Sequence, residues 1–187
     1  MRKPSQLRRL SYFYPIMKIS ITENLALRPL IIADAPGFAV YAKNRKVADN
    51  LRDAFPKPYN LDDAERFIHS VSGQSTPTVL GIEYQNEIIG SIGIFIGEDI
   101  YRFNAEIGYW IAEPFWGNGL GTLALNAMTN YAFSNFNLER LFARPFPFNI
   151  ASIKILEKCG YVHEATLKNA LVKQGHFYDE LIFSKLK

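Results

Sequence analysis

Three glycines, Gly117, Gly119 and Gly121, alternate with other residues at the predicted start of a helix. Glycine adopts positive φ without strain and lets the main chain approach a ligand closely. The first N–H groups of a helix have no partner within it, and the helix dipole favours negative charge there. The spacing therefore predicts a site for an anion such as phosphate or pyrophosphate. For an isolated Gly-x-Gly-x-Gly sequence, a tight turn without a ligand is the alternative.

Glu106 lies upstream of this loop, on a segment predicted to be a strand over residues 104–111. Period-two alternation places it on one face with Gly108 and Trp110, and Tyr109 on the other face. A carboxylate among apolar residues on a central strand is costly unless it is solvated, paired or functional. Glu106 is therefore a candidate general base, and a salt-bridged or solvated glutamate is the alternative.

Ser152 lies on a later predicted helix, which Asn149 caps and Gly160 ends. At about 100° per residue, its hydroxyl falls in the middle of an apolar arc, with charged side chains on the opposite arc. Such a hydroxyl either bonds to the start of the helix or faces a site. Ser152 is therefore a candidate proton donor, and simple capping is the alternative.

Apolar periodicity and turn residues predict the elements that position these residues. The predicted order is β-α-α-β-β-β-α-β-α-β-β, which describes a mixed α/β domain with one central sheet. In sequence, the predicted elements are a strand over 18–30 with a break at 22–24, helices over 34–44 and from 61, strands over 78–84, 88–97 and 104–111, a helix from 120, a strand over 138–145, a helix over 149–160, and strands over 161–167 and 177–186 around a polar loop. We expect residues 17–187 to form one domain and the basic, aromatic residues 1–16 to form a disordered tail without function; an extension from an upstream start codon is the alternative.

The composition, 48% hydrophobic and 21% charged, is ordinary for a soluble globular protein. The net charge is +3, and the Lys and Arg residues are scattered, so nucleic-acid binding gets little support. No apolar run approaches the roughly 18 residues of a membrane span. The single cysteine, Cys159, excludes an internal disulfide and a cysteine-based metal cage and suits a reducing compartment. We therefore expect a cytoplasmic protein without a metal site.

Two common phosphate loops do not fit the glycine spacing. The P-loop needs Lys-Ser/Thr after its last glycine, and that pair is missing after Gly121. The dinucleotide fingerprint has the spacing Gly-x-Gly-x-x-Gly and belongs to a parallel βαβ unit, whereas an antiparallel meander is predicted before this loop.

Residues 106–122 instead resemble the acyl-CoA-binding signature of the GCN5-related N-acetyltransferase (GNAT) superfamily, in particular its Rim-type branch of ribosomal-protein N-terminal acetyltransferases. Residues 149–161 are similar to the Asn-x-x-Ser…Glu-Lys-x-Gly-Phe motif of the same branch, and the similarity covers nearly the whole chain from Lys18. The resemblance implies a mixed, mostly antiparallel central sheet flanked by helices, with acetyl-CoA as co-substrate and no metal. The coenzyme-binding residues that it implies are Trp110, Ile111, Gly117, Asn118, Gly119, Leu120, Gly121, Thr122, Asn149 and Ser152.

The resemblance also implies roles in catalysis. Glu106 would be the base, and Ser152 would replace the tyrosine proton donor of many superfamily members, since that position is Leu156 here. A backbone N–H near Trp110–Ile111 would polarise the acetyl carbonyl. Trp116 stands where the superfamily often has Arg or Gln, which removes a side-chain contact but leaves the amide cradle.

The function that the resemblance implies is acetyl transfer to a primary amine, either a protein N-terminus or a small amine, by direct attack in a ternary complex. Nucleic acid and membrane are not expected as partners, and the resemblance is compatible with a homodimer. Phe55, Tyr59 and Tyr101 are candidates for the mouth of the acceptor site. The alternative is a non-catalytic acyl-CoA-binding module with the same glycine loop.

Overall fold

The computed structural model describes residues 17–187, so the tail predicted over residues 1–16 lies outside the described range. The strands in this range are β1 (Ile19–Ser20), β2 (Leu25–Arg28), β3 (Val79–Tyr84), β4 (Glu87–Ile96), β5 (Asn104–Ile111), β6 (Arg140–Ala143), β7 (Val162–Lys173) and β8 (His176–Leu186). The helices are α1 (Ala35–Ala42), α2 (Arg45–Asp49), α3 (Leu61–Val71), α4 (Leu120–Asn135) and α5 (Ile150–Lys158). None of these helices is both long and apolar enough to cross a membrane.

The strands form one 8-stranded sheet in the order β1-β2-β3-β4-β5-β6-β8-β7. Neighbouring strands are antiparallel except β5 and β6, which are parallel. The parallel pairing runs only from Asn104 to Glu106, whereas β5 stays paired with β4 as far as Ile111. The second half of β5 therefore has an open edge on the side of β6, and this gap splits the sheet.

Helices cover both faces of the sheet. The apolar side of α4 joins the larger buried cluster together with Leu25, Leu80 and Ile107. On the other face, α1 and α3 enclose a second cluster, against which Trp110 of β5 packs. Helices therefore pack on both faces of the sheet at β5, beside the gap.

The expected mixed, mostly antiparallel sheet with flanking helices is confirmed. The first predicted strand forms the hairpin β1–β2, with its turn at the predicted break. The first predicted helix ends two residues early, at Ala42, because the Asn44 side chain accepts a hydrogen bond from the Lys46 N–H and starts α2. Helix α2 is absent from the predicted elements. Most of the loop predicted between the last two strands is also wrong, since β7 and β8 extend to a tight turn at Gln174–Gly175.

Candidate active site

Strand β5 presents different side chains to the two faces of the sheet, as its alternation predicts. Tyr109 and Ile111 pack on the cluster that contains α4. Trp110 packs on the cluster of α1 and α3, and Glu106 and Gly108 share its face of the strand by period-two spacing. One strand therefore contributes side chains to the space on either side of the sheet.

A cavity of about 790 Å³ passes along β5 and the gap beside it. Four residues predicted for the site line it, namely Glu106, Trp110, Asn149 and Ser152. Phe55 and Tyr59, predicted at the acceptor mouth, also line it, whereas Tyr101 does not. The structure thus brings the candidate base and the candidate proton donor to one cavity, although they come from distant segments.

The Glu106 carboxylate forms an ion pair with Arg52, which lies on the loop between α2 and α3. The side chain of Glu106 is 21% exposed and that of Arg52 is 67% exposed. Exposed pairs of this kind contribute about 0–1 kcal/mol, so an ammonium group from solution can compete with Arg52. The carboxylate is therefore both salt-bridged and accessible from the cavity.

Asn149 and Ser152 have separate roles at the start of α5. The Asn149 side-chain oxygen accepts the Ser152 N–H at 3.1 Å, which confirms the predicted cap. The Ser152 hydroxyl instead lies 3.0 Å from the Tyr109 hydroxyl. Burial raises the pKa of Tyr109, and the bond to Ser152 offsets this only partly, so the phenol is protonated at neutral pH. The Ser152 hydroxyl is thus bonded to Tyr109 of β5 and does not cap the helix.

The glycine loop lies at the far end of β5, outside the cavity lining. Gly117 and Gly119 have φ values of +80° and +74°, and an added Cβ would meet nothing within 4 Å at either position. Within the described residues, the first bond of α4 runs from the Leu123 N–H to the Gly119 carbonyl, and the N–H groups of 117–122 donate to no backbone acceptor. The Asn118 side chain turns back to the Phe115 and Trp116 carbonyls. The loop is therefore an open arc of unpaired N–H groups at the start of a 16-residue helix.

Gly121 has a different role from the other two glycines. A Cβ at this position would come within 2.8 Å of Ile155 Cδ1, so Gly121 lets α4 and α5 pack closely. Its N–H, like those of Leu120 and Thr122, still lies in the first turn of α4 and remains available.

The backbone at Trp110–Ile111 offers one N–H group to the gap. The Ala112 N–H donates to the Ile89 carbonyl of β4 at 2.7 Å. Because the N–H groups of successive strand residues point to opposite edges, the Trp110 N–H also faces β4 and the Ile111 N–H faces the open edge. The Ile111 carbonyl accepts the Trp116 indole N–H at 2.7 Å. Of the two predicted positions, Ile111 is the one whose N–H faces the gap.

Sequence reasoning missed three polar neighbours of the site: Arg52, Lys173 and the hydroxyl of Tyr109. Lys173 is 2% exposed, and its ammonium donates to the Leu51 carbonyl and to Asp53 Oδ1 at 2.8 Å. These bonds tie the end of β7 to the loop that carries Arg52. No local pattern marks Lys173, since it follows a run of mostly exposed residues on β7. Residues 17–187 contain no group of three or more His, Cys, Asp or Glu side chains placed to hold a metal ion.

Comparison with known proteins agrees with this geometry. Residues 24–162 match the model of the acetyltransferase (GNAT) domain. The chain belongs to the GNAT acetyltransferase family. This match includes β5, the glycine loop and α5, and therefore all of the coenzyme-binding positions implied by the sequence motifs. The protein is accordingly an acetyltransferase.

Relatives and solved structures support the same assignment. The N-acetyltransferase p20 of Bacillus licheniformis is 29% identical over 174 residues, which cover 91% of this chain and 97% of p20. The structure of RimL, a ribosomal alpha-N-protein acetyltransferase in complex with coenzyme A, matches with a TM-score of 0.80 at 22% identity and covers 91% of this chain and 98% of RimL. The microcin self-immunity acetyltransferase MccE, in complex with acetyl-CoA and AMP, matches with a TM-score of 0.76 at 24% identity, over 89% and 94% of the two chains. This chain thus shares its fold with these acetyltransferases over most of its length.

Proposed function

We propose that this GNAT protein transfers the acetyl group of acetyl-CoA to a primary amine, which attacks the thioester directly in a ternary complex. The observation that carries the proposal is the shared cavity, lined by Glu106 on the sheet and by Asn149 and Ser152 on α5. A base, a coenzyme ligand and a proton donor are the groups that acetyl transfer to an ammonium substrate needs.

The residues present fit the coenzyme. The unpaired N–H groups of 117–122 suit a pyrophosphate, and the positive φ of Gly117 and Gly119 keeps side chains away from them. Asn149 uses its side-chain oxygen for the cap, which leaves its amide NH₂ for the pantetheine arm. The Ile111 N–H facing the gap would polarise the acetyl carbonyl. When bound, acetyl-CoA supplies the activated acyl group.

Glu106 and Ser152 handle the protons in this proposal. The substrate ammonium displaces Arg52 from the Glu106 carboxylate. Glu106 then accepts one proton of the ammonium, directly or through a water molecule. The amine nitrogen then forms a bond to the acyl carbon, and the bond from that carbon to sulfur breaks. Ser152 donates a proton to the departing thiolate and is reprotonated by the second proton that the acetylated nitrogen releases. The protonated Tyr109 hydroxyl supports the Ser152 oxygen between these two transfers.

Transfer through a cysteine has no support in the site. Cys159 is buried, and burial raises the pKa of its thiol. Its sulfur lies 3.4 Å from the Thr122 carbonyl, to which it donates. A buried thiol with a raised pKa is a poor nucleophile, so direct attack is the better reaction sequence.

The acceptor is proposed to be a protein N-terminus or a small amine. The fold shared with RimL, which is named as a protein alpha-N-acetyltransferase, favours the first, and the cavity beside Glu106 suits either. The single cysteine suits the cytoplasm as the place of reaction.

One observation favours a non-catalytic acyl-CoA-binding module instead, namely that the Glu106 carboxylate is already paired with the Arg52 guanidinium. An assay of thiol release from acetyl-CoA with a panel of amines and peptides separates the two functions. The enzyme should release coenzyme A in proportion to acetylated amine, as counted by mass spectrometry. Binding of acetyl-CoA without turnover of any acceptor above background would leave the binding module as the function.

A further inference from the structure

Five aromatic rings pack against one another along one side of the cavity. The Phe55 and Tyr59 rings stack with centroids 4.7 Å apart, and Phe38 contacts Trp110 at 5.0 Å and Phe67 at 5.6 Å. All five residues line the cavity. Phe38 and Tyr59 are buried, whereas the other three are only partly buried and present apolar surface to the cavity. This aromatic wall can receive an apolar group of a ligand.

The floor between the aromatic wall and Glu106 is open. Gly108 lies between Glu106 and Trp110 on the same face of β5, and an added Cβ there would meet only Phe95 Cε2, at 3.8 Å. Glu106 and Trp110 are four residues apart along the strand, a Cα separation of roughly 13 Å. This length accommodates an amine at the carboxylate with a side group lying against the indole.

The charged side chains that line the cavity balance each other. They form the pairs Arg52–Glu106, Arg66–Asp63, Lys173–Asp53 and, at 3.6 Å, Arg144–Glu180. A cavity for a polycation needs an excess of acidic groups, and this lining has none among the described residues. The cavity therefore suits an acceptor whose only positive charge is the reacting amine.

We propose that the acceptor is a primary amine with a single positive charge that bears an aromatic or branched apolar group, with the amine at Glu106 and the apolar group on the wall formed by Trp110 and Phe55. The inference rests on the proposed function and narrows its acceptor. An N-terminal residue of a polypeptide and a free small amine share this chemistry. The favourable free energy of acceptor binding comes from burial of the apolar group, since the charges in the cavity are already paired.

The first experiment compares kcat/KM for L-phenylalaninamide, glycinamide and spermidine with the full chain and acetyl-CoA. We expect L-phenylalaninamide to exceed both others by about tenfold or more, the usual scale of discrimination by an apolar pocket. Equal or better use of glycinamide or spermidine would overturn the inference and leave the proposed function intact. If no amine is acetylated, the proposed function and the inference fall together.

A second arm distinguishes the sources of the amine. A heptapeptide with N-terminal Phe is compared with L-phenylalaninamide, and a heptapeptide with N-terminal Gly serves as its control. Preference for the Phe peptide over both supports a polypeptide acceptor of the proposed chemistry, and preference for the free amide supports a small amine. Preference for the Gly peptide over the Phe peptide contradicts the aromatic wall as the specificity site.

Gly108→Val tests where the apolar group lies. A valine at this position is compatible with a strand and places its methyl groups on the open floor, so kcat/KM for L-phenylalaninamide should fall about tenfold or more. Affinity for coenzyme A and the melting temperature should change no more than in the control Gly37→Val, whose Cβ would meet nothing within 4 Å and which lies on α1 outside the cavity lining. Unchanged turnover of L-phenylalaninamide by a folded Gly108→Val variant would overturn the proposed position.

Discussion

Replacing Gly119 with valine tests the pyrophosphate cradle, because this residue combines a left-handed backbone with open space around its Cα. Gly119 has φ +74°, and a residue with a side chain in that conformation costs about 1–3 kcal/mol of stability. For a chain of this size, each kcal/mol lowers the melting temperature by roughly 2–4 °C. The fold should therefore survive the substitution.

The effect on coenzyme binding should be larger than the effect on stability. The valine methyl groups would stand over the unpaired N–H groups at the start of α4 and keep a phosphate away. A hydrogen bond to a charged group contributes about 1.5–3 kcal/mol, so the loss of two such bonds weakens binding by roughly 10² to 10⁴-fold. Isothermal titration calorimetry with coenzyme A measures this change directly.

Gly175→Val is the matched control for backbone strain. Gly175 has φ +79° and equally open surroundings, but it lies in the turn between β7 and β8, away from the glycine loop. Both variants should lose similar stability, and only Gly119→Val should lose affinity for coenzyme A. Full affinity in Gly119→Val, or an equal loss in both variants, would refute the reasoning.

Three further predictions concern the site and its surroundings. Glu106→Gln should lower kcat by about 10²–10⁴-fold with little change in coenzyme A affinity, and an unchanged pH–rate profile would exclude Glu106 as the base. Ser152→Ala should lower kcat more than Tyr109→Phe. The double variant should be no slower than Ser152→Ala, because Tyr109 acts through the Ser152 hydroxyl. Additive losses of kcat in steady-state assays would contradict this coupling. The bond from Lys173 lowers the pKa of Asp53, so the stability from this pair is present above the unfolded-state pKa of about 3.9 and is lost as the pH falls through the lower folded-state value. Asp53→Asn should therefore flatten the acid limb of a melting temperature against pH curve, and an unaltered limb would show that other carboxylates cause it.

Local signals predicted the elements that carry the site. Strand β5 spans the predicted residues 104–111, because its alternation is that of a strand with one face on each buried cluster. Asn149 caps α5 and Gly160 follows its end with φ +77°, as their residue types favour. These features depend on neighbours within a few residues, so the sequence alone is sufficient to predict them.

The contacts that define the environment of the site join distant segments, and no local pattern predicts them. The bond between Tyr109 and Ser152 spans 43 positions, the pair of Arg52 with Glu106 spans 54, and Lys173 reaches Asp53 across 120. The extension of β7 and β8 was missed for another reason. Both strands expose much of their surface, so they lack the apolar alternation that marks a half-buried strand.

The short parallel ladder between β5 and β6 has a consequence for how coenzyme binding changes the local stability of the sheet. Within residues 17–187, only the pairs from Asn104–Arg140 to Glu106–Phe142 join the five strands on one side to the three on the other. Beyond these three pairs the two parts of the sheet separate, and a coenzyme seated in the gap would bridge its two sides. Coenzyme binding and the stability of this ladder are then thermodynamically linked. Saturating coenzyme A should therefore slow amide hydrogen exchange in β6 more than in β3, which lies away from the gap and pairs with β4 over its whole length and with β2 from Gly81 to Tyr84.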